Sequence, residues 1–334
     1  MQHRRCLWVL TLVGILPLAV APVLAQLDAY AVPHLFALPT AVTTRMLGMG
    51  GFVTCIQDVG FSNPAFAGTL TRSAALGRVA LTDFDQGLAL RGEQAAIAWP
   101  LEPNQQGLQF TGFRLRTRQP GPMVTPVGPV LASIREDDVA VHYGRRFSNQ
   151  WVAGLGLSPL FRTETDLRNP LTGDLLAHLE SKAKSGCRLG GLYQFADEGC
   201  VGFVFDYYQE DVTGSGLAFG PGATGKFISR ELAVGVSRRL GDKIVGAVEW
   251  QQLTGSGAGT RQGDSGWRAG IEVQPNAQWT VRLGDNDGSF SGGVGLQSRA
   301  WSFQYAYVKD WNKDFVEERL GDSKTQSLEA RITW

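Results

Sequence analysis

The chain has 334 residues, and its 31 Lys and Arg residues balance 31 Asp and Glu residues. This balance excludes a nucleic-acid-binding protein that depends on a strongly basic surface. The 42 glycines and the 9 Trp, 7 Tyr and 17 Phe residues suit strands, tight turns and aromatic anchors. Beyond residue 25 no stretch approaches the roughly 20 consecutive apolar residues of a membrane helix, which excludes a helical membrane protein.

The first 25 residues have the pattern of a secretory signal peptide. Arg4 and Arg5 precede an apolar stretch from Leu7 to Ala21, and Val23-Leu24-Ala25 forms a small-residue cleavage site. Cleavage before Gln26 would remove two basic residues and no acidic ones, leaving 29 basic against 31 acidic residues. The prediction is an exported protein that is either soluble or a β-barrel.

From residue 73 onward the sequence predicts fourteen strands, an even number, as in barrels whose two ends lie in the periplasm. Their predicted ranges are 73–82, 92–101, 107–118, 137–147, 150–162, 181–195, 199–209, 227–239, 243–253, 266–274, 278–285, 290–297, 300–308 and 324–334. Short links alternate with long ones, which indicates short periplasmic turns and long outer loops. The predicted outer loops include 119–136, 163–180, 210–226, 254–265 and 309–323.

One face of these strands is consistently apolar, as in the series Trp151, Ala153, Leu155 and Leu157. Tryptophans fall near the predicted strand ends, which is typical of the aromatic girdles at membrane interfaces. They are Trp99, Trp151, Trp250, Trp267, Trp279, Trp301 and Trp334. A water-soluble sandwich gives the same alternation, so a soluble secreted all-β protein stays an alternative.

The last eight residues form the clearest strand pattern, with Leu328, Ala330, Ile332 and Trp334 on one face. In a membrane barrel this strand has to pair with the first strand so that no edge is open to lipid. We therefore expect Leu328, Ile332 and Trp334 to act as the signal read by the barrel assembly machinery. Outer-membrane lipid and lipopolysaccharide are the expected surroundings.

Residues 26–72 show little alternation and contain a set of short motifs. In order these are Arg45, Gly48, Gly50-Gly51, Asp58 and Asn63-Pro64-Ala65. Their order and spacing resemble the N-terminal segment of the FadL/PorV superfamily of outer-membrane proteins. This chain departs from the family pattern at Phe52, which replaces Ala, at the acidic pair, of which only Asp58 is present, and at Phe66, which replaces Gly.

The resemblance implies an all-β fold, a 14-stranded antiparallel transmembrane β-barrel with an N-terminal lumen plug, or hatch. The implied domains are a signal peptide over 1–25, the hatch over 26–72 and the barrel over 73–334. Resemblance to FadL implies passive transport of hydrophobic small molecules, with Phe36, Phe52, Phe61 and Phe66 as candidate ligand contacts. Resemblance to PorV implies instead a barrel that carries or tethers secreted proteins at the cell surface.

The sequence predicts no enzyme, no cofactor and no metal site. Beyond the leader only His34, His142 and His178 occur, without a His-Glu-x-x-His pair or a Gly-x-Ser-x-Gly turn. The stretch 220–226 resembles a phosphate-binding loop, but Phe227 stands where Ser or Thr is required. The Asp285–Gly288 stretch suits a hairpin turn better than a calcium loop.

Three cysteines follow the predicted signal peptide. Cys55, Cys187 and Cys200 are an odd number without close spacing, which predicts free thiols.

Eleven charged residues are predicted on the lumen side, where they would either brace the barrel or set its selectivity. They are Arg114, Arg116, Arg188, Arg230, Glu231, Glu249, Arg268, Glu272, Arg282, Glu329 and Arg331.

Overall fold

Fifteen strands account for most of the computed structural model, which describes residues 43–60, 62–82, 89–125, 128–195, 198–216, 220–257, 260–310 and 323–334. The predicted signal peptide and the hatch residues 26–42, with Phe36, lie outside this description, as does Phe61. The strands are β1 Ser73–Thr82, β2 Ala89–Glu102, β3 Gln106–Gln119, β4 Gly121–Thr125, β5 Gly128–Arg146, β6 Trp151–Arg168, β7 Leu175–Gln194, β8 Gly199–Gly216, β9 Gly220–Arg239, β10 Ile244–Gly257, β11 Thr260–Val273, β12 Trp279–Asn286, β13 Ser289–Gln297, β14 Trp301–Lys309 and β15 Lys324–Thr333. In the described parts of the chain, no helix is long and apolar enough to cross a membrane.

The sheet closes on itself. Consecutive strands pair antiparallel except β3 and β4, which do not pair with each other. β1 pairs with β15 from Ser73↔Thr333 to Thr82↔Lys324, and β3 pairs with β5. The short β4 follows β3 after Pro120 and pairs with the outer end of β5, so β3 and β4 together fill one place in the wall. The predicted 14-stranded antiparallel barrel is therefore confirmed.

The strands differ in length around the wall. Strands β5 to β9 have 18 to 20 residues, whereas β12 to β15 have 8 to 10. A tilted strand needs only about 9 to 11 residues to cross a bilayer, so β5 to β9 continue beyond it. The prediction of long outer loops over 119–136, 163–180, 210–226 and 254–265 is consequently wrong. Most of these residues extend the strands, and the predicted loop 309–323 lies largely outside the described residues.

The outer face of the wall carries an apolar belt. Trp267, Leu76 and Trp334 keep 62%, 68% and 59% of their surface exposed. Exposing so many large apolar side chains to water would be unfavourable in a soluble protein. Trp99, Trp151, Trp279, Trp301 and Trp334 lie at the end of the barrel where β1 begins, and Trp267 and Phe290 lie at the opposite end of the short strands. This belt identifies a barrel that spans the bacterial outer membrane, and the soluble alternative is wrong. We call the end where β1 begins the periplasmic end and the opposite one the outer end.

The predicted assembly residues belong to this belt. Leu328 and Ile332 point outward from β15, Trp334 directly follows its last residue, and all three are more than half exposed. They are therefore placed where a partner or lipid can reach them. Their recognition by the assembly machinery stays a prediction.

Charged residues cover the outer face beyond the belt. Arg114 and Arg116 alternate along β3 with the buried Phe113 and Leu115, and therefore point away from the lumen. Arg114 pairs with Asp137 at 2.5 Å, and the row of ion pairs continues through Arg135, Arg162, Glu164, Glu180 and Lys182. Arg230 likewise alternates with inward Ser229 and Glu231. The predicted lumen positions of Arg114, Arg116 and Arg230 are wrong, because an apolar residue, not a charged one, occupies the inner face beside the first two.

Candidate functional site in the barrel lumen

The described residues before β1 cross the lumen, and we call residues 43–60 and 62–72 the inner segment. Helix α1, Thr44–Gly48, contacts β12 to β15, and a 3-10 helix, Pro64–Gly68, contacts the far wall at β2, β3 and β5 to β7. The Thr43 hydroxyl caps α1 by accepting from the Met46 N–H at 3.3 Å. Asn63 caps the second helix by accepting from the Ala65 N–H at 3.0 Å, with Pro64 at its first position.

Arg45 attaches α1 to the wall. Its guanidinium makes two hydrogen bonds to Glu272 on β11, at 2.9 and 2.7 Å, and a third to the Gln57 carbonyl at 2.8 Å. Arg282 on β12 binds the same carboxylate at 2.6 Å and Gln304 at 2.6 Å. Glu272 thus joins one arginine of the inner segment to one arginine of the wall.

Asp58 forms the second attachment. It is fully buried, pairs with Arg331 on β15 and accepts from the Thr43 hydroxyl at 2.5 Å. Arg331 also pairs with Glu329 at 3.1 Å, and the Thr44 N–H donates to Glu329 at 3.3 Å. The single acidic residue of the predicted hatch motif therefore meets a cation on the wall.

Glu249 on β10 forms the third attachment and is itself fully buried. Its carboxylate accepts from the N–H groups of Val53 and Thr54 at 3.0 and 2.9 Å and from the Thr54 hydroxyl at 2.6 Å. Arg268 on β11 pairs with Glu249 at 3.1 Å and donates to the Gly51 carbonyl at 2.6 Å. The wall here satisfies backbone groups of the inner segment directly.

Asn63 holds the segment to the opposite wall. Its amide nitrogen donates to the carbonyls of Thr54, Gly191 and Phe203 at 2.9, 3.1 and 3.2 Å. Gly191 and Phe203 belong to β7 and β8, so one buried side chain links two strands to the segment.

Glycines let the inner segment lie directly on the wall backbone. A Cβ added at these wall positions would overlap an atom of the segment, as at Gly154 with the Ala65 nitrogen and at Gly190 with the Asn63 oxygen. The same holds for Gly107, Gly144, Gly202, Gly235, Gly270 and Gly284. Within the segment, Gly50 and Gly51 have φ of 104° and 85°, values that favour glycine. Gly48 packs against Gly293, where an added Cβ would lie 3.2 Å from its Cα.

Apolar side chains line the lumen beyond α1. Met46, Leu47, Met49 and Phe52 of the inner segment form one buried cluster with wall residues near the outer ends of their strands. These wall residues include Val79, Leu81, Leu90, Phe113, Leu115 and Val308. Phe66 belongs to a second cluster with Val59, Leu70, Val152 and Leu192. Phe52 and Phe66 are thus packed among apolar groups, and their role as ligand contacts stays a prediction.

Acidic groups face the lumen on the side of the barrel formed by the long strands β5 to β9. Glu136 and Asp138 on β5 and Glu210 on β8 are buried, and each has one carboxylate oxygen without a hydrogen-bond partner among the described residues. Ser181 donates to the other oxygen of Glu210, and Arg188 pairs with Asp206 nearby. His142 Nδ1 is buried without a partner as well. Sequence reasoning missed Glu136 and Glu210 because their neighbours along the strand are polar, so the predicted strands 137–147 and 199–209 stopped just short of them.

Other predicted sites carry no catalytic or metal-binding geometry. Residues 220–226 lie within the extended strand β9, so they form no phosphate-binding loop. Asp287 and Gly288, with φ of 51° and 83°, connect β12 to β13 as a two-residue hairpin turn. Among the described residues, no group of His, Cys, Asp and Glu is arranged to hold a metal ion.

Two cavities lie at the periplasmic end, between the inner segment and the wall. One has a volume of about 610 Å³ and is lined by Cys55, Phe66, Leu192 and Cys200, among others. The other, of about 400 Å³, has a polar lining that includes Arg45, Glu272, Arg282 and Arg331. The inner segment therefore leaves this end of the barrel incompletely filled.

Comparison with protein-family models and with curated proteins gives no match. Solved structures are similar over almost the whole barrel. The CymD monoaromatic hydrocarbon channel has a TM-score of 0.61 at 13% identity, with 88% of this chain and 98% of that chain covered. The Ralstonia pickettii toluene transporter TbuX has 0.57 at 14% identity, with 88% and 97% covered.

A Pseudomonas aeruginosa FadL homologue has a TM-score of 0.56 at 13% identity, with 88% of this chain and 98% of that chain covered. The chain has the FadL-like barrel fold. At these identities the similarity concerns the fold, and it agrees with the resemblance read from residues 45–65.

Proposed function

We propose that this FadL-like barrel is a passive, non-enzymatic transporter of hydrophobic small molecules across the outer membrane. The observation that carries the proposal is the apolar cluster inside the lumen, in which Met46, Leu47 and Met49 meet Phe113 and Leu115. Water-filled barrels have polar interiors, so an apolar strip beyond α1 suits an apolar solute. Burial of apolar surface there is favourable by about 25 cal/mol per Å².

The inner segment supplies the second requirement, exclusion of polar solutes. Its helices touch opposite walls and its backbone rests directly on wall glycines, so it obstructs the lumen although two cavities remain at the periplasmic end. We propose that it acts as the hatch predicted over 26–72, and that a hydrophobic solute passes when the apolar contacts around Met46 and Phe52 rearrange. The hydrocarbon channel and the toluene transporter of the same fold support this substrate class.

No specific observation favours the PorV-like alternative, a barrel that carries or tethers secreted proteins. Such a role needs an apolar docking surface on the outer turns. Of the turns at the outer end, the structure describes 169–174 and the Asp287–Gly288 hairpin, and Leu171 is a single exposed apolar residue there.

Uptake of the hydrophobic dye N-phenyl-1-naphthylamine by intact cells tests the proposal, because an intact outer membrane largely excludes this dye. Wild type and Leu115→Gln would be expressed at equal levels in a host that lacks dye efflux. Leu115 points into the apolar cluster, so the variant should take up the dye several-fold more slowly. Arg116→Gln is the matched control, since the neighbouring side chain points outward and should leave uptake unchanged.

Two further measurements distinguish transport through the barrel from leakage and from energy-dependent uptake. Entry of the polar compound nitrocefin is measured by its hydrolysis by a periplasmic β-lactamase, and it should stay at the level of cells without the barrel. Dissipation of the proton gradient should leave dye uptake unchanged. Equal dye uptake with and without the barrel, or equal uptake by wild type and Leu115→Gln, would overturn the proposal.

A further inference from the structure

Two cysteines that are 145 positions apart meet at the periplasmic end of the lumen. Cys55 belongs to the inner segment and is buried, and Cys200 is the second residue of β8. The Cys200 thiol donates to the Cys55 carbonyl at 3.4 Å, and the Ser237 hydroxyl donates to the same carbonyl at 3.2 Å. The Cys200 sulfur therefore lies in contact with the Cys55 backbone.

A soluble oxidant can reach this pair. Both cysteines line the cavity of about 610 Å³, whose lining also includes Asn149 and Glu198 in the periplasmic turns. Cys200 is partly exposed, whereas Cys55 is buried. The periplasm is kept oxidising by thiol–disulfide exchange proteins, so adjacent accessible thiols there are candidates for oxidation.

We propose that Cys55 and Cys200 form a reversible disulfide that ties the inner segment to the barrel wall. The oxidant is a disulfide compound, either an exchange protein or a small disulfide. The Cys200 thiolate attacks one sulfur of that disulfide, forms a mixed disulfide and releases the other sulfur as a thiolate. The Cys55 thiolate then attacks the Cys200 sulfur and expels the second thiolate. The oxidant gains two electrons, and its two sulfurs take up the two protons that the cysteines lose.

The third cysteine supplies an internal control. Cys187 lies on β7 beside the inward-facing Arg188, and alternation turns it to the outer face, where its cross-strand partners are Leu157 and Tyr207. It therefore has no access to the inner segment. In the proposed disulfide Cys55 of the inner segment pairs with Cys200, and Cys187 remains the one unpaired cysteine of the three.

Tryptic peptides distinguish the three cysteines. The folded wild-type barrel in detergent would be treated with oxidised glutathione, blocked with N-ethylmaleimide and digested with trypsin after unfolding. Cleavage after Arg45 and Arg72 isolates Cys55, cleavage after Arg188 and Lys226 isolates Cys200, and Cys187 falls in the short peptide 185–188. We expect a linked species of 46–72 with 189–226, and Cys187 carrying the maleimide.

Two variants keep the test decisive. Cys187→Ser should form the linked species as wild type does, whereas Cys200→Ser should lose it and still show heat-modifiable gel migration, which reports a folded barrel. Reduction of the oxidised protein should restore maleimide labelling of Cys55 and Cys200. Maleimide on both Cys55 and Cys200 after oxidation of the folded wild type, or linkage of either residue to Cys187, would overturn the proposal.

Discussion

Around the inner segment every buried carboxylate meets an arginine or a row of donors, whereas the acids farther along β5 and β8 do not. Glu249, Glu272 and Asp58 are each held by ion pairs or several hydrogen bonds. Glu136 and Glu210 keep an oxygen without a partner among the described residues. In the periplasmic half of the lumen the wall therefore holds the inner segment in a fixed position. We call the contacts of Arg45, Val53, Thr54, Asp58 and Asn63 with the wall the seat. The outer half of the long strands β5 to β9 has no such contacts with the acids it carries.

This contrast separates two uses of buried charge. Burying a charge costs several kcal/mol unless geometry and hydrogen bonds compensate, so the seat is stable only while both partners are present. Glu136 on β5 and Glu210 on β8 have no such compensation, and we expect their replacement by the neutral amide to stabilise the barrel. The comparison thus predicts opposite signs for two chemically similar changes.

The largest effect should come from Glu249→Ala. The change leaves Arg268 buried without its carboxylate partner and removes the acceptor of the Val53 and Thr54 N–H groups. We expect the free energy of unfolding to fall by about 3 to 5 kcal/mol. Denaturant unfolding of the barrel refolded in micelles, followed by tryptophan fluorescence, measures this.

Glu93→Ala is the control for this prediction. Glu93 forms an exposed pair with Arg91 on β2, which should contribute less than about 1 kcal/mol. Equal losses from Glu249→Ala and Glu93→Ala would show that the seat contributes no more than a surface pair.

A methyl group at the seat should have the next largest effect. In Gly190→Ala the new Cβ overlaps the Asn63 side-chain oxygen, whereas in Gly112→Ala nothing lies within 4 Å of it. Overpacking of this kind costs about 1 to 3 kcal/mol and should displace the 3-10 helix. Nitrocefin entry into intact cells should rise for Gly190→Ala alone. The seat would be refuted as a barrier if both variants admitted nitrocefin at the wild-type rate.

The smallest effect, and one of opposite sign, is expected for Glu136→Gln. This change replaces a buried carboxyl group that has an unpartnered oxygen. The free energy of unfolding should rise by about 1 kcal/mol, because folding then no longer buries an ionisable group and no ion pair is lost. The same denaturant titration checks it, with Glu249→Gln as the matched variant. A loss as large as that of Glu249→Gln would erase the distinction between the two halves.

Sequence patterns predicted the lipid-facing part of the barrel well. The range 73–82 of the first strand is confirmed, because apolar residues alternate there as lipid requires. The outer parts of β5 to β9 were missed because their outward positions are charged, as at Glu164 and Glu180, and so carry no apolar signal. Inward placement of Arg188 and Glu249 was correct, since each alternates with outward apolar neighbours. Glu231 was also placed correctly, although its neighbour Arg230 was not.

The sequence predicted the inner-segment residues that form the seat, but not the wall residues that each of them binds. The motif residues Arg45, Asp58 and Asn63 were recognised, but their wall partners Glu272 and Arg331 lie more than 200 positions away. Only the closed register brings them together. The approach of Cys55 to Cys200 was missed for the same reason.

Protection of the inner segment from protease tests the central claim most directly. Trypsin can release residues 46–72 only by cutting after Arg45 and Arg72. In the folded barrel Arg45 is bound to Glu272 inside the lumen, so mass spectrometry should find this peptide released far more slowly than from the heat-unfolded protein. Release at the same rate from folded and unfolded protein would contradict a seated inner segment.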